Sequence, residues 1–387
     1  MKAKPIIWPS ILVIFSSILV FWVLAHSDEN PPDLHPTMEG FALELQGLKP
    51  YLAFPEIFES EKAEEVVQQK IRNLRLLAEI SAHKRSLKSP EYRPLVQNLI
   101  THLNDTEKAF LRGNKGYARY MLQSTTTLCI SCHAVMPEVK IKAFNLIPEP
   151  KEIPKTFEEA EYYFAIRKTD VALLAFEKLI LNHSANNMDV MQLIDALNYT
   201  SIIFARMKRD PEGGAKFFEK IVKKKKLPPF IQTDVEAWVK SFEEWEKDGR
   251  IDILNTSDKE LLAKVRNILR NDLKNPFFFK DNSNQIAYLR ASGLLHEFLI
   301  LKPHSSFRPE AFYLLGICYL TLDHQFDADI ENTYLKLCIT EYPKSPFTRK
   351  CYNLLAESVT LGYSGSSGTH IPEDEKEELK RFQTLLK

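Results

Sequence analysis

Apolar residues recur at steps of three and four positions along most of the chain after residue 36, a pattern that predicts amphipathic α-helices. Four such segments lie between Thr37 and Val135, and proline or glycine-asparagine breaks separate them. Their apolar stripes are Phe41, Leu45, Leu48 and Leu52; Val67, Ile71, Leu74 and Ala78; Leu95, Leu99, Leu103, Thr106 and Phe110; and Tyr117, Met121, Ser124, Leu128 and Cys132. Short connections favour antiparallel neighbours, so we expect an up-down-up-down four-helix bundle of about 100 residues.

A second helical region follows residues 148–155, a stretch rich in proline and charge that predicts a linker. One internal repeat occurs there at a shift of 40 residues: Pro303-His-Ser305-Ser-Phe307 matches Pro343-Lys-Ser345-Pro-Phe347, and Leu314-Leu315-Gly316 matches Leu354-Leu355-Ala356. The spacing of Phe312, Leu315, Gly316 and Tyr319 resembles the tetratricopeptide pattern, in which a small residue lets two helices approach closely. We therefore predict an α-solenoid over residues 156–387, with weaker hairpins before the repeat.

Composition narrows the class of protein. The chain of 387 residues is 44% apolar and 26% charged, which is typical of a folded globular protein. Lys+Arg and Asp+Glu both number 51, so net charge gives no reason to expect a nucleic-acid partner. The 12 glycines form neither a dinucleotide-binding G-x-G-x-x-G nor a P-loop, which argues against phosphate-cradling enzymes.

The N-terminus predicts export. Lys2 and Lys4 precede an uncharged run over residues 6–25, which fits either a signal peptide or a single membrane anchor. Prolines in residues 26–36 predict a short extended linker. On either interpretation the remaining chain is expected in the periplasm of a Gram-negative bacterium, anchored to the inner membrane or soluble after cleavage.

The pentapeptide Cys129-Ile-Ser-Cys132-His133 is the C-x-x-C-H pattern of covalent c-type haem attachment. Two thiols one helical turn apart can form thioethers to one porphyrin, and the next imidazole can then serve as the proximal iron ligand. The alternatives are a thioredoxin-like dithiol, which should follow a strand, and half of a zinc site, which needs a second ligand pair. Helical periodicity upstream of Cys129 favours haem.

The predicted bundle with this motif on its last helix, in Gly116–His133, resembles the class II cytochromes c, the group that includes cytochrome c′. The resemblance covers about a quarter of the chain and implies one covalent haem c, held by Cys129 and Cys132, with His133 on the iron. The chain departs from the group at Pro137, which must end the helix soon after His133, and it lacks the basic residue usually found there.

The distal side of the iron is open to two interpretations. Met121 lies about 18 Å from the motif along the helix, and Met136 lies on the proximal side, so a distal group must come from another helix. The topology brings the start of helix one and the end of helix two to the motif, which puts Met38, Phe41 and His83 within reach and His35 just outside. Met38 on the iron would give a low-spin electron carrier, whereas an apolar Phe41 or Leu45 would leave a five-coordinate iron able to bind a small gas. Met38 as an ordinary core residue and His83 as a solvated helix end are the plainer alternatives.

These observations predict an all-α protein in five parts. The parts are a signal peptide or anchor over 1–25, a linker over 26–36, a c-type cytochrome four-helix bundle over 37–147, a linker over 148–155 and a tetratricopeptide-like solenoid over 156–387. The expected function is electron transfer, with the solenoid binding protein partners. The alternative is a haem-based sensor or scaffold for NO or CO, and an enzyme such as a peroxidase is the weakest hypothesis because no distal acid-base pair is apparent. Cys318, Cys338 and Cys351 are expected as small buried apolar residues, and a disulfide between two of them is the alternative that an oxidising compartment leaves open.

Overall fold

The computed structural model describes residues 34–84, 87, 92–135, 149–183, 188–224, 227–270, 273, 282–322 and 330–386, with the side chains of His35 and Val135 excepted. Within these residues the regular secondary structure consists of helices and one short antiparallel ribbon, β1 (Ser364–Gly365) paired with β2 (Gly368–Thr369). The prediction of an all-α protein is confirmed. The predicted signal or anchor over 1–25 lies outside the described residues, and no helix among those described is long and apolar enough to cross a bilayer.

Five helices form the first part of the fold. They are α1 (His35–Leu52), α2 (Pro55–Phe58), α3 (Glu61–Ala82), α4 (Arg93–Leu111) and α5 (Lys115–Val135). Helix α1 begins two residues before Thr37, because Pro36 lies in its first turn, where a missing backbone N–H costs no hydrogen bond. Successive long helices pack on each other, and α1 also contacts α5.

One apolar core joins these helices. Every residue of the predicted stripe on α3 is fully buried, and Leu48, Phe58 and Leu103 join it from α1, α2 and α4. The stripe on α5 differs from the prediction, since Tyr117 is 52% exposed while Ala118 and Leu122 are buried. Small Ala118 allows close packing, whereas the larger Tyr117 stacks on Tyr120 at the surface.

The second part begins after residues 149–155, which contain neither helix nor strand. Its helices are α6 (Phe157–Ala165), α7 (Thr169–Leu181), α8 (Val190–Ile202), α9 (Pro211–Lys224), α10 (Pro229–Asp248), α11 (Asp258–Ile268), α12 (Gln285–Leu301), α13 (Arg308–Leu322), α14 (Ile330–Glu341), α15 (Thr348–Gly362) and α16 (Glu373–Thr384). A π-helical turn, Ile203–Lys208, continues α8, and a 3-10 turn, Asn282–Asn284, precedes α12. Thr156, Asp189 and Ser257 cap α6, α8 and α11 with side-chain oxygens that accept backbone N–H groups.

The two copies of the sequence repeat form the same turn in the structure. Ser305 lies between α12 and α13, and its Oγ accepts the N–H of Phe307 at 3.1 Å; Ser345 lies between α14 and α15, and its Oγ accepts the N–H of Phe347 at 3.2 Å. A Cβ added at Gly316 on α13 would lie 2.6 Å from Cδ2 of Leu335 on α14, so this glycine permits the close approach of the two helices. Residues 323–329, between α13 and α14, lie outside the described part of the chain.

The cysteine prediction needs one correction. All three cysteines of the second part are buried, but Cys338 and Cys351 form a disulfide between α14 and α15, with Cα atoms 6.3 Å apart. The two residues alternate with leucines on core faces, as expected, and those faces are turned toward each other. Cys318 is buried in α13 and does not take part in this bridge.

The two parts share an interface at the motif end of α5. Ile130 and Ala134 of α5, with Leu95 and Val96 of α4, belong to the core that continues into the second part. In return, Tyr162 of α6 enters the core of the first part, and its hydroxyl donates a hydrogen bond to the carbonyl oxygen of Ala42 at 3.2 Å. The residues after the predicted linker therefore pack directly against the helices before it.

Candidate functional site

The C-x-x-C-H motif lies in the last two turns of α5. Cys129 and Cys132 are one turn apart, and His133 follows Cys129 by four residues, so all three side chains project from one side of the helix. Cys129 and Cys132 are free thiols and only partly exposed. The helix that carries them is held by long-range contacts, including that of Arg119, whose guanidinium donates to the carbonyl oxygen of Leu52.

The three motif side chains open into one cavity with mostly apolar walls. The lining residues are Met38, Phe41, Ala42 and Leu45 of α1; Ser81 of α3; Leu87; Leu95, Val96 and Leu99 of α4; Leu128, Cys129, Cys132 and His133 of α5; Ala165 at the end of α6; and Ile166 just after it. The structure thus brings Met38, Phe41 and Leu45 to the motif from the start of α1. His83 ends α3 and is not among the described lining residues, and the side chain of His35 lies outside the described part.

Burial controls the charge of the motif. It raises the pKa of the Cys129 thiol to about 12 and that of Cys132 to about 11, so both thiols are protonated at neutral pH. Burial and, to a smaller extent, the nearby charge of Arg167 together lower the pKa of His133 to about 3, while a hydrogen bond to the backbone of Ala165 opposes the shift. The imidazole is therefore neutral, which is the form that binds a metal.

The chemistry of these groups fits a covalently attached haem. The cavity presents two thiols and one neutral imidazole among apolar walls, and the Nδ1 atom of His133 is buried with no hydrogen-bond partner among the described residues. Buried polar atoms in folded proteins generally have a partner, so this atom calls for an explanation. Met38 adds a thioether to the same walls.

A thioredoxin-like dithiol and a zinc site, the two alternatives for the motif, agree less well with its surroundings. A thioredoxin-like dithiol opens a helix after a strand, whereas Cys129 and Cys132 lie near the end of a 21-residue helix that follows another helix. A zinc site needs further ligands, and among the described residues no three His, Cys, Asp or Glu side chains converge on a common point.

A half-buried acid beside the motif was missed by sequence reasoning. The hydroxyl of Tyr199, on α8, donates a hydrogen bond to Oε1 of Glu161, on α6, at 3.0 Å. Burial raises the pKa of Glu161 to about 7, and its charge acts on Cys129. Burial likewise raises the pKa of nearby Asp195 to about 6. Glu161 follows two exposed or half-exposed glutamates in the sequence, Glu158 and Glu159, so no pattern distinguishes it.

Sequence reasoning also missed Ala165, Ile166 and Arg167, because they lie beyond the predicted linker and reach the motif through tertiary packing.

Comparison with known proteins does not identify the site: no family model, no curated protein and no solved structure matches the chain.

Proposed function

We propose that the protein is an exported c-type haem protein that transfers electrons. The observation that carries the proposal is the common cavity of Cys129, Cys132, His133 and Met38, four residues from opposite ends of a segment of about 100 residues. Two thiols, an imidazole and a thioether facing one apolar space are the donor set of a six-coordinate haem c.

Each residue has a distinct role in this proposal. Cys129 and Cys132 would hold the porphyrin through thioether bonds, and the neutral imidazole of His133 would bind the iron. When bound, haem supplies one-electron oxidation and reduction. Met38 is the candidate distal ligand, and Phe41 and Leu45 limit the access of water to the cavity. A thioether on the iron favours the reduced state and a low-spin electron carrier.

The second part of the fold supplies the partner-binding surface in this proposal. Its α13–α14 pair and the repeated Pro-x-Ser-x-Phe turns support a tetratricopeptide-like solenoid, a class of fold that mostly binds proteins. The Cys338–Cys351 disulfide supports an oxidising compartment, as expected of the periplasm, either at the inner membrane or in solution.

The deciding experiment is to express the full chain with a c-type maturation system and to measure its mass after denaturation. We expect one haem to remain covalently bound in the wild type and to be lost in a Cys129→Ala, Cys132→Ala variant. Cys318→Ala is the matched control, since this buried cysteine lies outside the cavity, and it should retain haem. Wild-type protein that is colourless and keeps both thiols reactive would refute the proposal.

Phe41 and Leu45 line the same cavity and favour a second candidate, a gas-binding sensor with a five-coordinate iron. Visible spectra separate the two functions. Electron transfer predicts a reduced low-spin spectrum that carbon monoxide does not change, and a Met38→Ala variant that becomes high-spin and binds the gas. A wild-type protein that already binds carbon monoxide supports the sensor instead.

A further inference from the structure

The loop between α6 and α7 covers the motif end of α5. Ala165 and Ile166 line the cavity, and Arg167 follows them directly. Backbone hydrogen bonds fix the loop, since the N–H of Arg167 donates to the oxygen of Phe164 at 2.9 Å and the N–H of Lys168 to that of Tyr163 at 2.9 Å. A rigid piece of the second part of the fold thus forms one wall of the candidate haem cavity.

Arg167 adopts a conformation that suits glycine better than arginine. Its φ is 61°, in the left-handed region that costs energy for a residue with a Cβ. In this conformation its Nη2 donates a hydrogen bond to the backbone oxygen of His133 at 3.2 Å. That oxygen belongs to the last turn of α5, whose carbonyl groups have no partner within the helix. The contact fixes the residue proposed to bind the iron.

The guanidinium also brings a positive charge to the motif. The hydrogen bond of 3.2 Å holds the guanidinium, which stays charged at physiological pH, against the backbone oxygen of His133. The other charged groups around this end of α5 are arranged differently. Glu161 acts on Cys129, and Lys168 is paired with Glu149 at 2.8 Å. Among the residues that the structure describes, Arg167 is thus the cation held at the backbone of His133.

We propose that Arg167 is a positioning residue that holds His133 in place and raises the reduction potential of the iron. The inference rests on the proposed function, since it concerns the same site. Reduction removes one positive charge from the iron, and a fixed positive charge nearby favours the state with less positive charge. The second part of the fold would thereby tune the redox centre of the first.

The test is a spectroelectrochemical titration of the full, haem-loaded chain. We expect Arg167→Gln to reduce the ratio of reduced to oxidised protein about tenfold at a fixed potential, a shift of about 59 mV for one electron. Arg167→Lys keeps the charge and should restore most of the potential. Lys178→Gln is the control, because it removes one positive charge from an exposed position on α7 and should leave the potential unchanged.

Arg167→Gly is a second variant for the case in which Arg167→Gln does not fold. Glycine adopts a positive φ without strain, and this substitution also removes the charge. It should show the same lowered potential as Arg167→Gln. If both variants lose thermal stability and keep the wild-type potential, Arg167 only caps α5 and the inference is wrong. If the wild type carries no covalent haem, the proposed function itself fails, and this outcome is visible before any titration.

Discussion

A buried histidine and a half-buried one show how differently the two parts of the molecule use the same residue. His296, on α12, is 2% exposed, and its Nε2 lies 2.9 Å from the hydroxyl of Tyr319. Arg206 donates to the same hydroxyl at 3.1 Å and to Oγ of Ser292 at 2.8 Å, which makes one polar network inside the second part. His133 instead lies beside two thiols and faces a cavity.

The comparison shows which observation identifies a site. Burial lowers the pKa of both histidines, and the Nδ1 atoms of both have no hydrogen-bond partner among the described residues. Neither property separates a functional histidine from a structural one. The surroundings do, because His296 packs against aromatic rings of Tyr319 and Tyr334, whereas His133 shares its cavity with further donor groups.

The largest expected effect tests whether packing really differs between the bundle core and the cavity. Leu103 and Leu95 lie two turns apart on α4; Leu103 is fully buried in the core, and Leu95 lines the cavity. Leu103→Ala should cost about 2–5 kcal/mol of unfolding free energy, because it opens a new void among close-packed neighbours. Leu95→Ala should cost less, about 1–2 kcal/mol, because one side of this residue already has few contacts.

Urea denaturation of chains produced without haem measures both values. Equal losses for the two alanine variants would show that the cavity walls are packed as closely as the core, and would weaken the argument for a ligand there.

The difference between one-sided burial and burial on all sides also explains which helices the sequence could predict. Helix α3 buries residues on one face only, so its apolar stripe is readable, and every predicted core position on it is buried. Helix α13 buries twelve of its 15 residues, so amphipathic periodicity is lost and self-similarity at 40 residues was needed to find it. On α5 the stripe was misplaced onto Tyr117, because small Ala118 gives a weak signal although it lies in the core.

Local spacing predicted the part of the site that lies within one helix, and topology predicted the approach of Met38. Neither could predict Arg167 or the Glu161–Tyr199 pair, since these depend on how α6 and α8 pack against α5. The disulfide was missed for a similar reason: three cysteines in helices give no pairing until the facing sides of α14 and α15 are known.

The second prediction concerns the covalent link within the repeat. Cys338 and Cys351 are separated by 13 positions, and closing a loop of about that length stabilises a folded protein by about 3 kcal/mol. Replacing both with alanine should lower the unfolding free energy of the second part by about this amount. Reducing agent should destabilise the wild type and leave the double variant unchanged, and an equal response of both chains would contradict a bridge.

The third prediction uses pH and concerns the boundary between the two parts. The pKa of Glu161 is about 7 in the folded state and ordinarily 4.5, so at intermediate pH the folded chain holds a proton that the unfolded chain releases. Stability must then fall as pH rises from about 4.5 to 7, by as much as about 3 kcal/mol, and Asp195 contributes in the same direction.

Glu161→Gln should flatten this fall, whereas Glu158→Gln, an exposed change on the same helix whose charge contributes least to the raised pKa of Glu161, should keep most of it. Thermal unfolding at pH 5, 6 and 7 makes the measurement. Parallel pH profiles of the wild type and Glu161→Gln would show that Glu161 is ionised in the folded state throughout this range.

The prediction with the smallest effect on unfolding free energy compares a glycine-to-alanine substitution in each of the two parts. A methyl group added by Gly316→Ala would lie 2.6 and 2.8 Å from two atoms of Leu335, which is fully buried, so the clash should outweigh the gain in helix propensity and cost about 1 kcal/mol. Gly116→Ala, in the exposed first turn of α5, meets Oε1 of Glu59 at an ordinary 3.4 Å and should stabilise by about 0.5 kcal/mol. Opposite signs in urea denaturation are expected because the glycine of the repeat is required by close helix packing, whereas the glycine of α5 is not. A stabilising Gly316→Ala would mean that α13 and α14 separate easily, contrary to the close contact that the repeat predicts.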